Sequence, residues 1–188
     1  MDANGVAVSF PGMDALAGDD ALHLRVLTAD RLRIDRAWNA RDVRSPYWRI
    51  YRNRHDGADV LLPHGGRHRL TARHLHLIPA WVQFTCRCTA TVDHLYAHVD
   101  LLGVPGAVVR ETFPRPFALP LEPVISAAAE RLEAALAEPA LAPATLLCAV
   151  KTLAFAAFAG AFAGLPTAQA ERCLALRRAD HAVAPALR

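Results

Sequence analysis

The residues of this chain with the most chemical reach are its nine histidines. Several of them recur at the spacing of an extended strand. His74 and His76 flank Leu75, and His94, Tyr96 and His98 alternate with Leu95 and Ala97, so each set points to one face of a strand. A metal enzyme built on a small barrel needs a His-x-His pair, a carboxylate a few residues on, and a later His. After His76 the next acid is Asp93, too distant for that pattern, and Pro79 ends the strand between them. Leu75 and Leu77 then read as the core-facing pair, with His74 and His76 turned outward. No metal-ligand set is assigned. His64, His68, His74 and His76 are expected to hold a divalent ion only adventitiously.

Nucleophilic chemistry has less support. The serines are Ser9, Ser45 and Ser126, and none lies in a Gly-x-Ser-x-Gly turn. Gly65-Gly66 lacks the Lys and helix of a phosphate-binding loop, and Cys86-x-Cys88 has neither redox nor zinc-knuckle spacing. The chain is therefore expected to be no enzyme and to need no cofactor. A binding pocket fits better. Arg49 and Tyr51 share one face of an aromatic segment, His94, Tyr96 and His98 share another, and Trp81 adds a ring. Aromatic faces with a few polar tips suit a small polar organic ligand such as a sugar. Arg49, Tyr51, Trp81, His94, Tyr96 and His98 are the expected ligand-binding residues. The competing expectation is that Trp48, Tyr51, Trp81 and Tyr96 only fill the core.

The elements that must position these side chains change character near Pro120. Before it, short β-branched and aromatic runs are separated by turn signals. Strands are predicted at Tyr47–Arg52, Ala58–Leu62, Arg67–Ala72, His74–Ile78, Gln83–Ala90 and Val92–Leu102. After it come helices: one from Pro123 to about Ala137, a second from Ala144 to Ala163, and a third from Ala168 to about Asp180. Strands followed by helices, without alternation, argue for a β-barrel or sandwich with an appended helical region. Met1 to Asp20 has little periodicity and reads as a loose arm, with residues 21–120 as barrel and 121–188 as helical region.

With 188 residues, 53% of them hydrophobic, the chain can bury a core and is not of disordered composition. Its net charge is only +3, the surplus lies before Pro120, and no dense basic block marks a nucleic-acid surface. Ala140–Leu165 is almost wholly apolar, but Lys151 stands near its middle, and Thr152–Leu165 is too short to span a bilayer. The run therefore reads as a buried helix, within the helical region or against another subunit, and not as a membrane span. No signal pattern opens the chain, so a cytoplasmic setting with free thiols is expected.

One resemblance draws these segments together. Ser45-Pro46-Tyr47-Trp48-Arg49-Ile50-Tyr51-Arg52-Asn53, Asp56-Gly57-Ala58, Leu75-His76-Leu77-Ile78-Pro79-Ala80-Trp81-Val82-Gln83-Phe84 and Asp93-His94-Leu95-Tyr96-Ala97-His98-Val99-Asp100-Leu101 resemble, in order and spacing, the sensor domain of AraC-type transcription regulators. The resemblance implies a cupin-like barrel that binds a small-molecule effector, followed by helices that make a homodimer, here within residues 121–165. It also implies a connector over Glu171–Arg188 leading to helix-turn-helix units that this sequence does not contain. DNA binding would belong to those units.

Overall fold

In the computed structural model, residues 22–170 and Cys173 are described. The expected arm over residues 1–20, most of the third helix beyond residues 168–170 and Cys173, and nearly all of the connector lie outside them.

Among the described residues the chain forms eight named strands and three named α-helices. The strands are β1 (His23–Ile34), β2 (Trp48–Asn53), β3 (Ala58–Leu61), β4 (Arg67–Leu70), β5 (His74–Ile78), β6 (Thr85–Cys88), β7 (Val92–Leu102) and β8 (Phe117–Pro120). The helices are α1 (Gly106–Thr112), α2 (Pro123–Leu136) and α3 (Pro143–Ala163). All pairings are antiparallel. One sheet has the order β1-β7-β2-β5-β8 and the other β4-β3-β6. The molecule is thus mainly β, an open two-sheet sandwich with helices following it.

The large sheet is covered on both faces, and this determines where its polar side chains go. On one face Trp48, Ile50, Leu75, Leu77, Leu95, Ala97 and Val99 pack against Leu132 of α2 and Leu153 and Phe158 of α3. The ring of Trp48 meets those of Phe158 and Phe113 edge-on, at 5.0 and 5.2 Å between centroids. On the other face Tyr51, Ile78 and Val92 close over Val60, Leu70, Cys86 and Cys88 of the small sheet. Strand β2 is consequently buried at every position, and the expected outward turn of His74 and His76 is corrected. His76 is 1% exposed, between the sheets.

Three elements depart from the sequence reading. Strand β1 was not anticipated, because its register slips between Val26 and Thr28 and breaks the alternation, while Arg25, Arg31 and Arg33 mark it as an edge. Helix α1 and strand β8 were too short to carry a pattern. The second predicted helix is present as α3, and one side of it is buried within the subunit, through Ala149, Val150, Leu153, Ala154, Ala157, Phe158 and Ala161. Leu147 and Phe155 stand on its open side. By length and composition α3 is apolar enough to cross a membrane, yet its buried side belongs to the core between the large sheet and the helices.

Candidate ligand site

Register brings five of the six expected binding residues together. Across the β2–β7 pair Arg49 faces His98, Tyr51 faces Tyr96, and Asn53 faces His94. By strand parity all six side chains leave the same face of the large sheet. The small sheet covers the His94 end of this face. Toward β1, Tyr96 and His98 are half-buried, and their partners Thr28 and Asp30 are exposed. The face therefore runs from a dry floor to an open rim.

On the floor, His94 is held in one tautomer. Its Nδ1 lies 2.7 Å from Asn53 Oδ1, an acceptor, so His94 donates, and the Asn53 amide donates in turn to the Leu70 carbonyl at 3.1 Å. Burial lowers the His94 pKa to about 4, assisted by His98 and His76. Tyr51 and Trp38 pack against the imidazole at 4.7 and 5.4 Å, and against each other at 6.2 Å. Burial raises the Tyr51 phenol above its ordinary range, and only Arg49 opposes that shift.

Rings dominate the rim. His98 lies 5.1 Å from the rings of both Tyr47 and Tyr96. Its pKa is held down to about 4, first by burial and then by the Arg49 charge. Arg49 is 4% exposed. Its Nη2 donates to Ser45 Oγ at 2.7 Å, and the rings of Tyr47 and Phe84 lie 4.7 and 5.1 Å from its Cζ. Its Nη1 is buried and finds no hydrogen-bond partner among the described residues.

A separate line of histidines borders the site. His76 Nε2 donates to the Thr71 carbonyl at 3.0 Å, which leaves its Nδ1 to accept from His68 Nε2, also at 3.0 Å. Both nitrogens of His76 are thus engaged. Among the described residues no three His, Cys, Asp or Glu side chains come together to hold a metal ion. Cys86 and Cys88 are free and buried, with the Cys86 thiol pushed up to about 11 by burial.

Trp81 does not lie on the sheet face that carries the other five. Pro79 ends β5, and the chain turns so that Trp81 takes φ +72°, its N–H held by the Ser45 carbonyl at 2.8 Å. The position suits glycine better than a bulky ring. The Trp81 ring faces an open groove of about 740 Å³ with Arg110, Phe113 and Arg115 on its wall. Gly106 lets it sit there, since a Cβ at that residue would fall 3.0 Å from Trp81 Nε1. Sequence reasoning missed Ser45, Tyr47 and Asn53 and turned His76 outward. Strand parity alone would have found Asn53.

The arrangement gathers aromatic faces and neutral hydrogen-bonding tips around one cation. Comparison with known proteins adds little. No family model and no curated protein matches the chain. Solved structures with a similar course include ToxT from Vibrio cholerae, at 6% identity over 70% of this chain and 55% of that one, with a TM-score of 0.42. ToxT from Vibrio cholerae O395 is similar at 7% identity, over 68% and 52% of the two chains, TM-score 0.41. The O395 protein bound to (E)-4-(8-methylnaphthalen-1-yl)but-3-enoic acid gives 6%, 70%, 55% and 0.42. The chain spans about half the length of these proteins.

Proposed function

We propose that the chain is the effector-sensing and dimerising part of an AraC-type transcription regulator, acting in the cytoplasm without catalysis of its own. The observation that carries this reading is the convergence of Arg49, Tyr51, His94, Tyr96 and His98 on one sheet face, dry at one end and open at the other. Such a face can bury part of a small polar molecule while its tips fix the orientation. The segments that resemble the AraC-type sensor supply all five residues.

The same strand provides a physical link to the helices. Arg49 and Tyr51 face the site, while Trp48, Ile50 and Arg52 face α2 and α3. An effector that prefers one arrangement of β2 biases the helices through these contacts. In this reading the helices within 121–165 carry the homodimer, and DNA is contacted only by a following domain.

The test is a thermal-shift screen of aldoses and small organic acids on the chain, repeated on Tyr96→Ala and His98→Ala. The expected result is at least one compound that raises Tm, with the rise lost in both variants. A screen without any shift, or a shift that survives both substitutions, overturns the reading. Translation of the genomic frame past Arg188 checks the second half. A basic helical domain of about one hundred residues should follow, and a stop codon there would remove the DNA-binding role.

A further inference from the structure

Arg49 carries a charge that the described residues do not answer. It is 4% exposed, and no carboxylate lies within ion-pair distance of it among the described residues. The nearest acids on its own sheet face are otherwise placed. Asp100 is bound to Arg25 at 2.8 Å, and Asp30 is exposed and accepts from the Arg31 N–H. A buried cation normally meets an anion, and a buried N–H normally meets an acceptor. Arg49 Nη1 meets neither.

The surroundings determine what could answer it. The rings of Tyr47 and Phe84 lie against the guanidinium, and Ser45 takes Nη2. What is left is the Nη1 edge of a guanidinium that lies against the half-buried Tyr47 ring, on a residue that faces the half-buried His98 across the β2–β7 pair. A planar carboxylate fits one guanidinium edge and needs no further cation. A phosphate brings more charge and more acceptor oxygens than this rim has donors to meet. Tyr47 sits outside any strand and half-buried, with its ring 4.7 Å from the guanidinium carbon.

Building on the sensor reading above, we propose that the effector carries a carboxylate, seated on Arg49 Nη1, with its remaining, ring-bearing or apolar part against Tyr47 and Tyr96.

The experiment uses the full chain and the probes benzoate, its neutral isostere benzamide, inorganic phosphate and glucose. Benzoate is expected to raise Tm and benzamide to leave it unchanged. Arg49→Gln is expected to weaken benzoate binding by about tenfold or more. Arg49→Met, which removes the unanswered charge, should raise the ligand-free Tm by roughly 2–8 °C while abolishing the benzoate response. That paired gain and loss is specific, since a purely structural arginine would lose stability when replaced.

Other outcomes separate the two ideas. Glucose or benzamide binding that depends on Tyr96 but not on Arg49 overturns the carboxylate and keeps the sensor reading. Phosphate binding in place of benzoate does the same. The chain's own Asp2, Asp14, Asp19 and Asp20 are the rival source of a carboxylate. If replacing all four with Asn lowers Tm only when Arg49 is present, the guanidinium is occupied by its own chain and the proposal fails. No response to any probe, with Arg49→Met less stable than the parent, overturns both.

Discussion

Arg49 and Arg52 lie three positions apart on β2, and their guanidinium groups leave opposite faces of one sheet into opposite electrostatic fates. Arg52 is met by Glu133 at 3.6 Å and Glu130 at 3.7 Å, both on α2, and Arg54 also pairs with Glu133. Arg49 meets only a serine hydroxyl and two rings among the described residues. On the helix side the charges clamp α2 to the sheet. On the site side the charge is left available.

Glu133 should therefore be among the most sensitive positions for stability. It is 4% exposed and answers two arginines. Glu133→Gln leaves Arg52 buried with a neutral partner, which costs on the order of 3 kcal/mol, or a Tm lower by roughly 6–12 °C. Thermal melts followed by circular dichroism read this directly. A change of less than about 1 °C would mean that the clamp contributes little beyond its packing.

Acid should loosen the fold before it protonates most carboxylates. His76 and His94 have pKa values of about 4 in the folded chain, chiefly because burial penalises the imidazolium, against 6.5 when solvated. The unfolded chain binds more protons in that window, so stability is full above about pH 6.5 and is lost as pH falls toward about 4. Each of the two contributes on the order of 1–3 kcal/mol. His98 shifts in the same direction, and a carboxylate beside Arg49 would oppose that shift. Urea melts across the window should show midpoints falling with pH, and a flat profile would contradict the assignment.

Much of the sandwich was legible because its strands follow local rules. Asp56-Gly57 and Pro63-His64-Gly65-Gly66 separate β2, β3 and β4, and alternation in Val92–Leu102 marks β7. Pairs such as Arg49 with His98 follow once β2 and β7 are neighbours. What was hidden depends on the third dimension. Alternation assumes one wet face, so His76 read as outward although a second sheet covers it. The bulge in β1 erased the pattern that would have announced that strand. Trp81 sits where the strand has already ended, so its parity carried no information. Nor does any local signal say whether an arginine has a partner. Arg49 and Arg52 look alike in sequence, and only the helix behind one of them sets them apart.

The open side of α3 gives the last prediction. Leu147 and Phe155 are 43% and 44% exposed two turns apart, while the opposite side of the helix is fixed in the core. Large apolar side chains exposed in this way contribute little to the fold of one subunit, but they suit a contact between two. Leu147→Glu with Phe155→Glu should thus change Tm by only a degree or two, about what exposed sites allow. The same pair should convert a dimer to a monomer, because a second copy would have to bury two unpaired carboxylates. Sedimentation velocity on parent and variant separates these effects. A parent that is monomeric at the highest soluble concentration would remove the homodimer, and a variant that stays dimeric would move the subunit contact away from α3. A variant that unfolds would mean instead that this side of the helix serves the core.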